Sequence, residues 1–348
     1  MNKDLVLVMP HCGEKEKTLR MRSVLKYALE GQKISRRIET VKELEDLQGC
    51  RILFAVNLGA SGINLSFYAM LKKIRLHSHM FEGCVGGVIV DGQSVLYTKA
   101  VARDLVFAAN TAGCAFIGRP LVEGPASLAN FHILAQINDT DEWSAYHREA
   151  RSMVERICST KPPRPGRGEV LVLHASSRST SNTLMLWEMI RSHLGERPIT
   201  EICLRNGTVK DCVGCPYKTC LHFGEQNSCF YGGVLTESVY PAIQRCDSLV
   251  MLCPNYNDSV SANISAGINR LTALFRNVRF YDKKTHAVIV SGYSGSDIVA
   301  GQLIAALNMN KSFYLPPRFC ICETANNVGS ILKVEGISER AAAFAKTI

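Results

Sequence analysis

The chain predicts an α/β protein built from two doubly wound parallel-sheet domains in tandem. Three observations carry this expectation. Short apolar runs alternate with helix-period segments along the whole length, the pattern of a parallel sheet covered on both faces. A proline-rich break divides the chain near its middle, and the order of elements after it repeats the order before it. The first domain is expected over residues 1–158, a linker over 159–168 and the second domain over 169–348.

In the first half, residues 5–8 (LVLV) read as a strand and are followed by a helix near 18–29, with Leu19, Val24, Leu25 and Leu29 near helical spacing. Residues 51–56 form the next strand. Ile63, Phe67, Met70, Leu71 and Ile74 mark one helix face, and a strand at 85–90, a helix at 100–110, a strand at 114–117 and a closing helix at 143–157 complete the set. Residues 159–168 (STKPPRPGRG) hold three prolines, two glycines and no apolar residue, the composition of a linker. The second half then gives strands at 170–173, 248–252, 287–290 and 318–322. Its helices start near Thr183 and Val260, run over 298–307 and close the chain from Ala341.

The halves can be laid on one another by residue arithmetic. Residues 5–8 match 170–173 at an offset of 165, and Ile63, Phe67, Leu71 and Ile74 match Val260, Ile264, Ile268 and Leu271 at an offset of 197. Val88-Ile89-Val90 and Gly92 recur as Val288-Ile289-Val290 and Gly292 at an offset of 200. The step from 165 to 197 gives the second copy 32 more residues between its first strand and its central helix. Cys212, Cys215, Cys220 and Cys229 all lie in that interval. The expectation is a tandem duplication whose second copy carries a cysteine-bearing loop.

Composition narrows the function classes. With 348 residues and 47% hydrophobic content, the chain can bury two ordinary cores. The apolar run at the N-terminus is too short for a signal peptide, and no segment reaches the length of a membrane span. We therefore expect a soluble cytoplasmic protein with no membrane partner. The formal charge of +9 is dispersed: 20 Lys and Arg stand against 17 Asp and Glu in residues 1–158, and 20 against 14 in the rest. No basic helix interleaved with aromatics accompanies it, so nucleic acid is not expected as a partner. Fourteen cysteines spread over such a length point to reduced thiols or metal ligands rather than a disulfide scaffold. Cys203, Cys246, Cys253, Cys320 and Cys322 fall in or beside predicted strands and are expected to be core thiols.

In an open parallel sheet, ligands sit beyond the carboxyl ends of the strands. After the strand at 170–173 the chain reads His174-Ala175-Ser176-Ser177-Arg178-Ser179-Thr180-Ser181-Asn182-Thr183, which is rich in hydroxyls, holds one cation and feeds a helix start. Such a helix start exposes unpaired N–H groups and a partial positive charge and suits a phosphate monoester, although Ser181 or Asn182 would equally serve as a simple cap. After 248–252 comes a loop with a rigid proline, an aromatic and a run of amides and hydroxyls, Pro254-Asn255-Tyr256-Asn257-Asp258-Ser259-Val260-Ser261. After 287–290 comes the glycine-rich Ser291-Gly292-Tyr293-Ser294-Gly295-Ser296-Asp297, able to bring backbone N–H groups close to a flat ligand.

These three loops, in this order, resemble the NADPH-dependent FMN reductase family and its iron–sulfur flavoprotein members, which have a flavodoxin-like fold. The resemblance covers residues 168–348, with Ala175 standing at a family glycine. It implies that Ser177, Arg178, Ser179, Asn182 and Thr183 hold the FMN phosphate. Pro254, Asn255, Tyr256 and Asn257 would line the isoalloxazine, and Ser291, Gly292 and Tyr293 would close its other edge. Hydride would pass from NAD(P)H to the flavin, so no general acid or base is nominated as catalytic. The implied acceptor is a small molecule such as a flavin, a quinone or an electron-poor aromatic, and the implied assembly is a homodimer.

Cys212-x2-Cys215-x4-Cys220-x8-Cys229 supplies four thiols in 18 residues, suited to a [4Fe-4S] cluster or a tetrahedral zinc. Its third spacing is wider than the iron–sulfur flavoproteins show. Four ligated cysteines would favour the alternative function, an electron carrier acting with a redox protein partner, whereas free thiols would favour the reductase. The first copy lacks the phosphate-loop features: Glu14 and Glu16 replace hydroxyls, and Asn57 stands where Pro254 stands. It reads as a flavodoxin-like domain that has lost the cofactor.

Overall fold

The computed structural model describes residues 5–13, 15–161, 168–176, 180–205, 207 and 209–348. The chain divides into two compact units, Met1–Pro162 and Pro163–Ile348. Most of the proline-rich linker therefore lies outside the described residues.

The first unit runs β1 (Leu5–Val8), α1 (Lys15–Ala28), β2 (Ile34–Ile38), β3 (Arg51–Asn57), α2 (Leu65–Leu76), β4 (Val85–Asp91), α3 (Thr98–Thr111), β5 (Ala115–Gly124), α4 (His132–Ile137) and α5 (Glu142–Ser159). Its five strands are all parallel, in the order β2-β1-β3-β4-β5. The strands of continuous apolar sequence, β1, β3 and β4, are buried along their whole length, as a sheet covered on both faces requires. Helices α1 and α5 pack together, and α2 packs with α3.

The second unit runs β6 (Val170–His174), α6 (Asn182–Arg191), β7 (Ile199–Cys203), α7 (Tyr217–Glu225), α8 (Tyr240–Arg245), β8 (Ser248–Pro254), α9 (Ala262–Asn277), β9 (Lys284–Ser291), α10 (Ser296–Leu303), β10 (Cys320–Thr324) and α11 (Ile337–Ala345). Its sheet is also parallel, in the order β10-β9-β8-β6-β7. Numbered within each unit, both orders are 2-1-3-4-5, the flavodoxin-like arrangement, whose switch point lies between the first and third strands. On one face, Val170, Val172, Val250, Leu252, Val288, Val290 and Ile321 meet Leu184, Trp187 and Ile190 of α6 and Phe344 of α11. Burying each such aliphatic side chain contributes about 1.5–3 kcal/mol. Between β7 and β8 the second unit carries α7, a π-helical turn at Leu235–Val239 and α8.

Several elements differ from the sequence expectation. Two strands carried no apolar signal: β2 (ISRRI) alternates partly covered with exposed residues, and β7 (ITEIC) is half-buried throughout. Both are edge strands, where one backbone side faces solvent and a strong apolar run is not required. Ile63 does not belong to the α2 face. Asn64 caps that helix by accepting from the Phe67 N–H, which leaves Ile63 in the loop and 53% exposed. The last strand starts at Cys320 rather than Arg318, and α11 begins at Ile337. Cys246 and Cys253 are core thiols as expected, but Cys203 and Cys320 are only partly buried and Cys322 is exposed, because all three stand on the edge strands β7 and β10.

Candidate functional site

The carboxyl edge of the second sheet collects the loops that follow β6, β8, β9 and β10. Next to β6, Ser181 accepts from the Leu184 N–H at 3.3 Å and caps α6. Asn182 and Thr183 then occupy the first two helical positions, whose N–H groups have no intrahelical acceptor. The Asn182 side chain is committed elsewhere. Its Nδ2 donates to the carbonyls of Ala325 (3.0 Å) and Asn327 (2.8 Å), and its Oδ1 accepts from the Gly329 N–H at 2.9 Å. It fastens the loop after β10 to the start of α6, leaving only its backbone N–H for a ligand.

Thr183 is 1% exposed and Ser176 8%, yet neither hydroxyl has a hydrogen-bond partner. Buried polar groups are nearly always paired, because an unmade hydrogen bond costs about 1–3 kcal/mol. Two such hydroxyls flank the turn between β6 and α6. Ser177, Arg178 and Ser179, expected to complete a phosphate cradle there, lie outside the described residues. Below the turn, the buried His174 ring takes the Ser176 N–H on Nδ1 at 3.4 Å and places Nε2 3.3 Å from Glu201 Oε1. Sequence reasoning had no role for this histidine. Only the register that pairs His174 with Cys203 brings β7's carboxylate towards it.

The loops after β8 and β9 form one hydrogen-bonded unit organised by Asn255. Its N–H donates to the Val290 carbonyl (2.9 Å), and its Nδ2 lies within reach of Ser294 O (2.8 Å), Ser291 Oγ (3.1 Å) and Asp258 Oδ1 (3.2 Å). Its Oδ1 is buried without a partner. Asn257 and Asp258 both have positive φ, 53° and 55°, and close a tight turn between Tyr256 and Ser259. Gly295, at φ 87°, sits against that turn: a Cβ there would come within 1.9 Å of Asp258 Oδ1. Only glycine admits this contact. Gln302 of α10 also ties the loops, accepting from the Val260 N–H (2.9 Å) and donating to the Asp258 carbonyl (3.1 Å).

Ser291 Oγ lies 2.6 Å from Ser296 Oγ, so its hydroxyl is held inside the loop. Tyr256 is 60% exposed and Tyr293 80% exposed, leaving two aromatic rings open to the edge. The Tyr293 backbone carbonyl accepts from Thr324 and its hydroxyl from Asn326. Asn326 also lies 3.0 Å from where a Gly292 Cβ would stand. Ser261, at the cap of α9, adds another buried hydroxyl without a partner. The structure thus brings Asn182, Thr183, Pro254, Asn255, Tyr256, Asn257, Ser291, Gly292 and Tyr293 to one sheet edge. It adds Gln302 and Asn326, whose cross-loop contacts spacing alone does not carry, and leaves the hydroxyls of Ser176 and Ser261, in loops the sequence singled out, buried and unpaired.

At the equivalent edge of the first unit a carboxylate is tied down by its neighbours. Asp91 ends β4, where Ser291 ends β9, and accepts from Arg20 Nε (2.9 Å) and the Tyr146 hydroxyl (3.1 Å). Arg20 Nη2 also donates to the carbonyls of Gly124 and Pro125, both at 2.7 Å. Burial outweighs these partners and pushes the Asp91 carboxyl up to about 6.

Cys212, Cys215, Cys220 and Cys229 line one cavity of about 160 Å³ with Phe223, Phe230 and Tyr231, roofed by Arg270 and Arg276 of α9. The Tyr231 phenol is pushed up by desolvation and then by the Cys215 thiol. Among the described residues, no three His, Cys, Asp or Glu side chains converge as metal ligands. The four thiols therefore share a wall without presenting a formed tetrahedral site. No helix of the described residues is long and apolar enough to cross a membrane.

Among solved structures, similarity extends to an NAD(P)H:quinone oxidoreductase from Methanothermobacter marburgensis, with 13% identity and a TM-score of 0.40 over 51% of this chain and 96% of that one. An azoreductase from Bacillus anthracis aligns with 14% identity and a TM-score of 0.39 over 52% of this chain and 100% of that one. The Trp repressor binding protein from Bacillus subtilis aligns with 16% identity and a TM-score of 0.34 over 50% and 96%. No curated protein sequence matches the chain. Residues 169–326 match the model of the NADPH-dependent FMN reductase family.

Proposed function

We propose that the second unit binds FMN at the carboxyl edge of its sheet and works as an NAD(P)H oxidoreductase that reduces a small acceptor. The observation that carries this reading is the set of buried polar atoms left unpaired at that edge: Ser176 Oγ, Thr183 Oγ1, Asn255 Oδ1 and Ser261 Oγ. They belong to the loops after β6 and β8, where the switch point of this fold lies. Phosphate oxygens would accept from Ser176, Thr183 and the N–H groups that open α6, with Arg178, Ser177 and Ser179 supplied by the same turn. Asn255 Oδ1 would accept from a ring N–H, while Tyr256 and Tyr293 flank the ring and Pro254 and Asn257 shape its bed. When bound, the flavin supplies the hydride chemistry; the chain's own residues fix its position and exclude water around it.

Acceptors of this chemistry are flavins, quinones or electron-poor aromatics, and a homodimer acting in the cytoplasm is the expected form. The second reading, an iron–sulfur electron carrier, rests on the four cysteines that share one cavity wall. Its ligands would have to move together, since no three converge among the described residues.

The test is an anaerobic titration of the purified full chain with FMN, followed by NADH and NADPH oxidation assays with quinone, azo and flavin acceptors, and by iron and zinc analysis. Stoichiometric FMN with pyridine-nucleotide oxidation and no iron is the expected result. Failure to retain or rebind FMN overturns the proposal, and flavin with about four irons per chain moves it to the carrier.

A further inference from the structure

His174 ends β6 at the carboxyl edge of the second sheet, directly before the turn that leads to α6, and is 3% exposed. Each of its ring nitrogens faces a group of fixed character. Nδ1 lies 3.4 Å from the Ser176 backbone nitrogen, and Nε2 lies 3.3 Å from Glu201 Oε1 on β7. A backbone N–H can only donate, so Nδ1 must accept and carries no proton. The proton of the neutral ring then stands on Nε2, facing the Glu201 carboxylate, because the bond made by one nitrogen sets the state of the other. A doubly protonated ring would bring two donors face to face at Ser176. Arg191 of α6 stands 4.0 Å from Glu201 Oε2 and balances the carboxylate from its other side. Ser176 is thereby held through its backbone. Its N–H is spent on the ring, and its hydroxyl, buried without a hydrogen-bond partner, is what remains for a ligand.

We propose that His174, with its ring proton on Nε2, is the positioning residue for the phosphate side of the flavin site. Through Ser176 it sets the preference of the site for FMN over riboflavin, which has the same ring system and no phosphate. The proposal rests on the FMN reading of this sheet edge. Hydrogen bonds weaken steeply with distance and angle, so the Ser176 hydroxyl serves a phosphate oxygen only while its backbone is fixed. The ring holds the Ser176 N–H, and Glu201 holds the ring. The backbone beneath is tied as well, since the Leu204 N–H donates to the His174 carbonyl at 2.6 Å and joins the end of β6 to the residue after β7. With the Nδ1 acceptor removed, the Ser176 N–H loses its partner and the hydroxyl loses its fixed place. The ring contacts assigned to the flavin belong to the loops after β8 and β9, so a change at His174 acts on the phosphate and not on the isoalloxazine.

The test compares FMN and riboflavin binding to the full chain as wild type, His174→Leu and His174→Asn, by fluorescence titration. Both variants lose the contact with Glu201, but only asparagine keeps an acceptor, Oδ1, near the place of Nδ1. The wild type should bind FMN more tightly than riboflavin. His174→Leu should weaken FMN binding about tenfold, the loss expected for one hydrogen bond, and leave riboflavin within about twofold. His174→Asn should restore most of the FMN affinity. Nitrogen NMR of the wild-type histidine rings, with the His174 signal identified by its absence from the asparagine variant, should show Nδ1 unprotonated. That readout needs neither flavin nor a folded leucine variant. The proposal is overturned by an unchanged FMN-to-riboflavin ratio in His174→Leu, by a His174→Asn chain as weak for FMN as His174→Leu, or by a proton on Nδ1. A wild-type chain that binds both flavins alike overturns it too, whereas one that binds neither takes down the FMN reading itself.

Discussion

Asn255 and Ser291 lie 3.1 Å apart, amide nitrogen to hydroxyl oxygen, and this contact joins the loop after β8 to the loop after β9. The same asparagine reaches Asp258 and Ser294 and still keeps its carbonyl oxygen unpaired and buried. One side chain thus builds the edge and leaves a single acceptor for a ligand. The hydroxyls of Ser176 and Thr183 are left in a similar state one strand away.

That state gives the first prediction. Thr183→Val removes an unpaired buried hydroxyl at nearly constant shape, so the ligand-free protein should be unchanged or more stable by up to about 1 kcal/mol. FMN affinity should fall about 5- to 30-fold, the loss expected for one or two kcal/mol of hydrogen bonding. Urea midpoints without flavin and fluorescence titrations with FMN separate the two effects. A loss of stability with unchanged affinity would make Thr183 an ordinary core residue.

Gly295→Ala gives the second. Its φ of 87° and the 1.9 Å approach of a Cβ to Asp258 Oδ1 oppose any side chain. The substitution should destabilise the second unit by about 1–3 kcal/mol and separate the two loops. FMN affinity should fall with it, whereas Gly195→Ala, at φ 64° with open space around it, should cost stability alone. Equal flavin affinity in both variants would count against a role for the paired loops.

The third concerns the first unit. The Asp91 carboxyl sits at about 6 in the folded chain, above its ordinary 3.8, because burial outweighs Arg20 and Tyr146. Between about pH 4 and pH 6 the folded state therefore binds more protons than the unfolded state at this group, and its contribution to stability is lost as pH rises. Asp91→Asn should remove that dependence. Its stability relative to the wild type should improve by up to about 3 kcal/mol between pH 4 and pH 7, read from urea midpoints. A constant difference across that range would mean that the carboxyl titrates alike in both states.

Much of the second unit's candidate site is legible in the sequence. The order of the three loops, the proline and tyrosine of the β8 loop and the glycines of the β9 loop are local features, and each stands at the sheet edge where the sequence puts it. Asn182 is a candidate by sequence, but its side chain holds the loop after β10, some 140 residues away in sequence, a contact that no spacing rule reaches. The Cys212–Cys229 group could be counted from the sequence and shown to share a neighbourhood, but convergence on a metal depends on side-chain directions set by α7 and α9.

The sequence by itself determined the class of fold, two units of alternating strands and helices, because apolar periodicity is a local property that each strand and helix carries alone. It also determined the three loops that mark the second unit. Tertiary structure decided the edge strands β2 and β7, whose weak apolar signal is tolerated only because a sheet neighbour covers one side. It also decided which polar groups are spent on the protein and which are left over. Pairing is settled between residues far apart in the chain, so the same asparagine or hydroxyl becomes a strut or a ligand contact only when the partners arrive or fail to arrive.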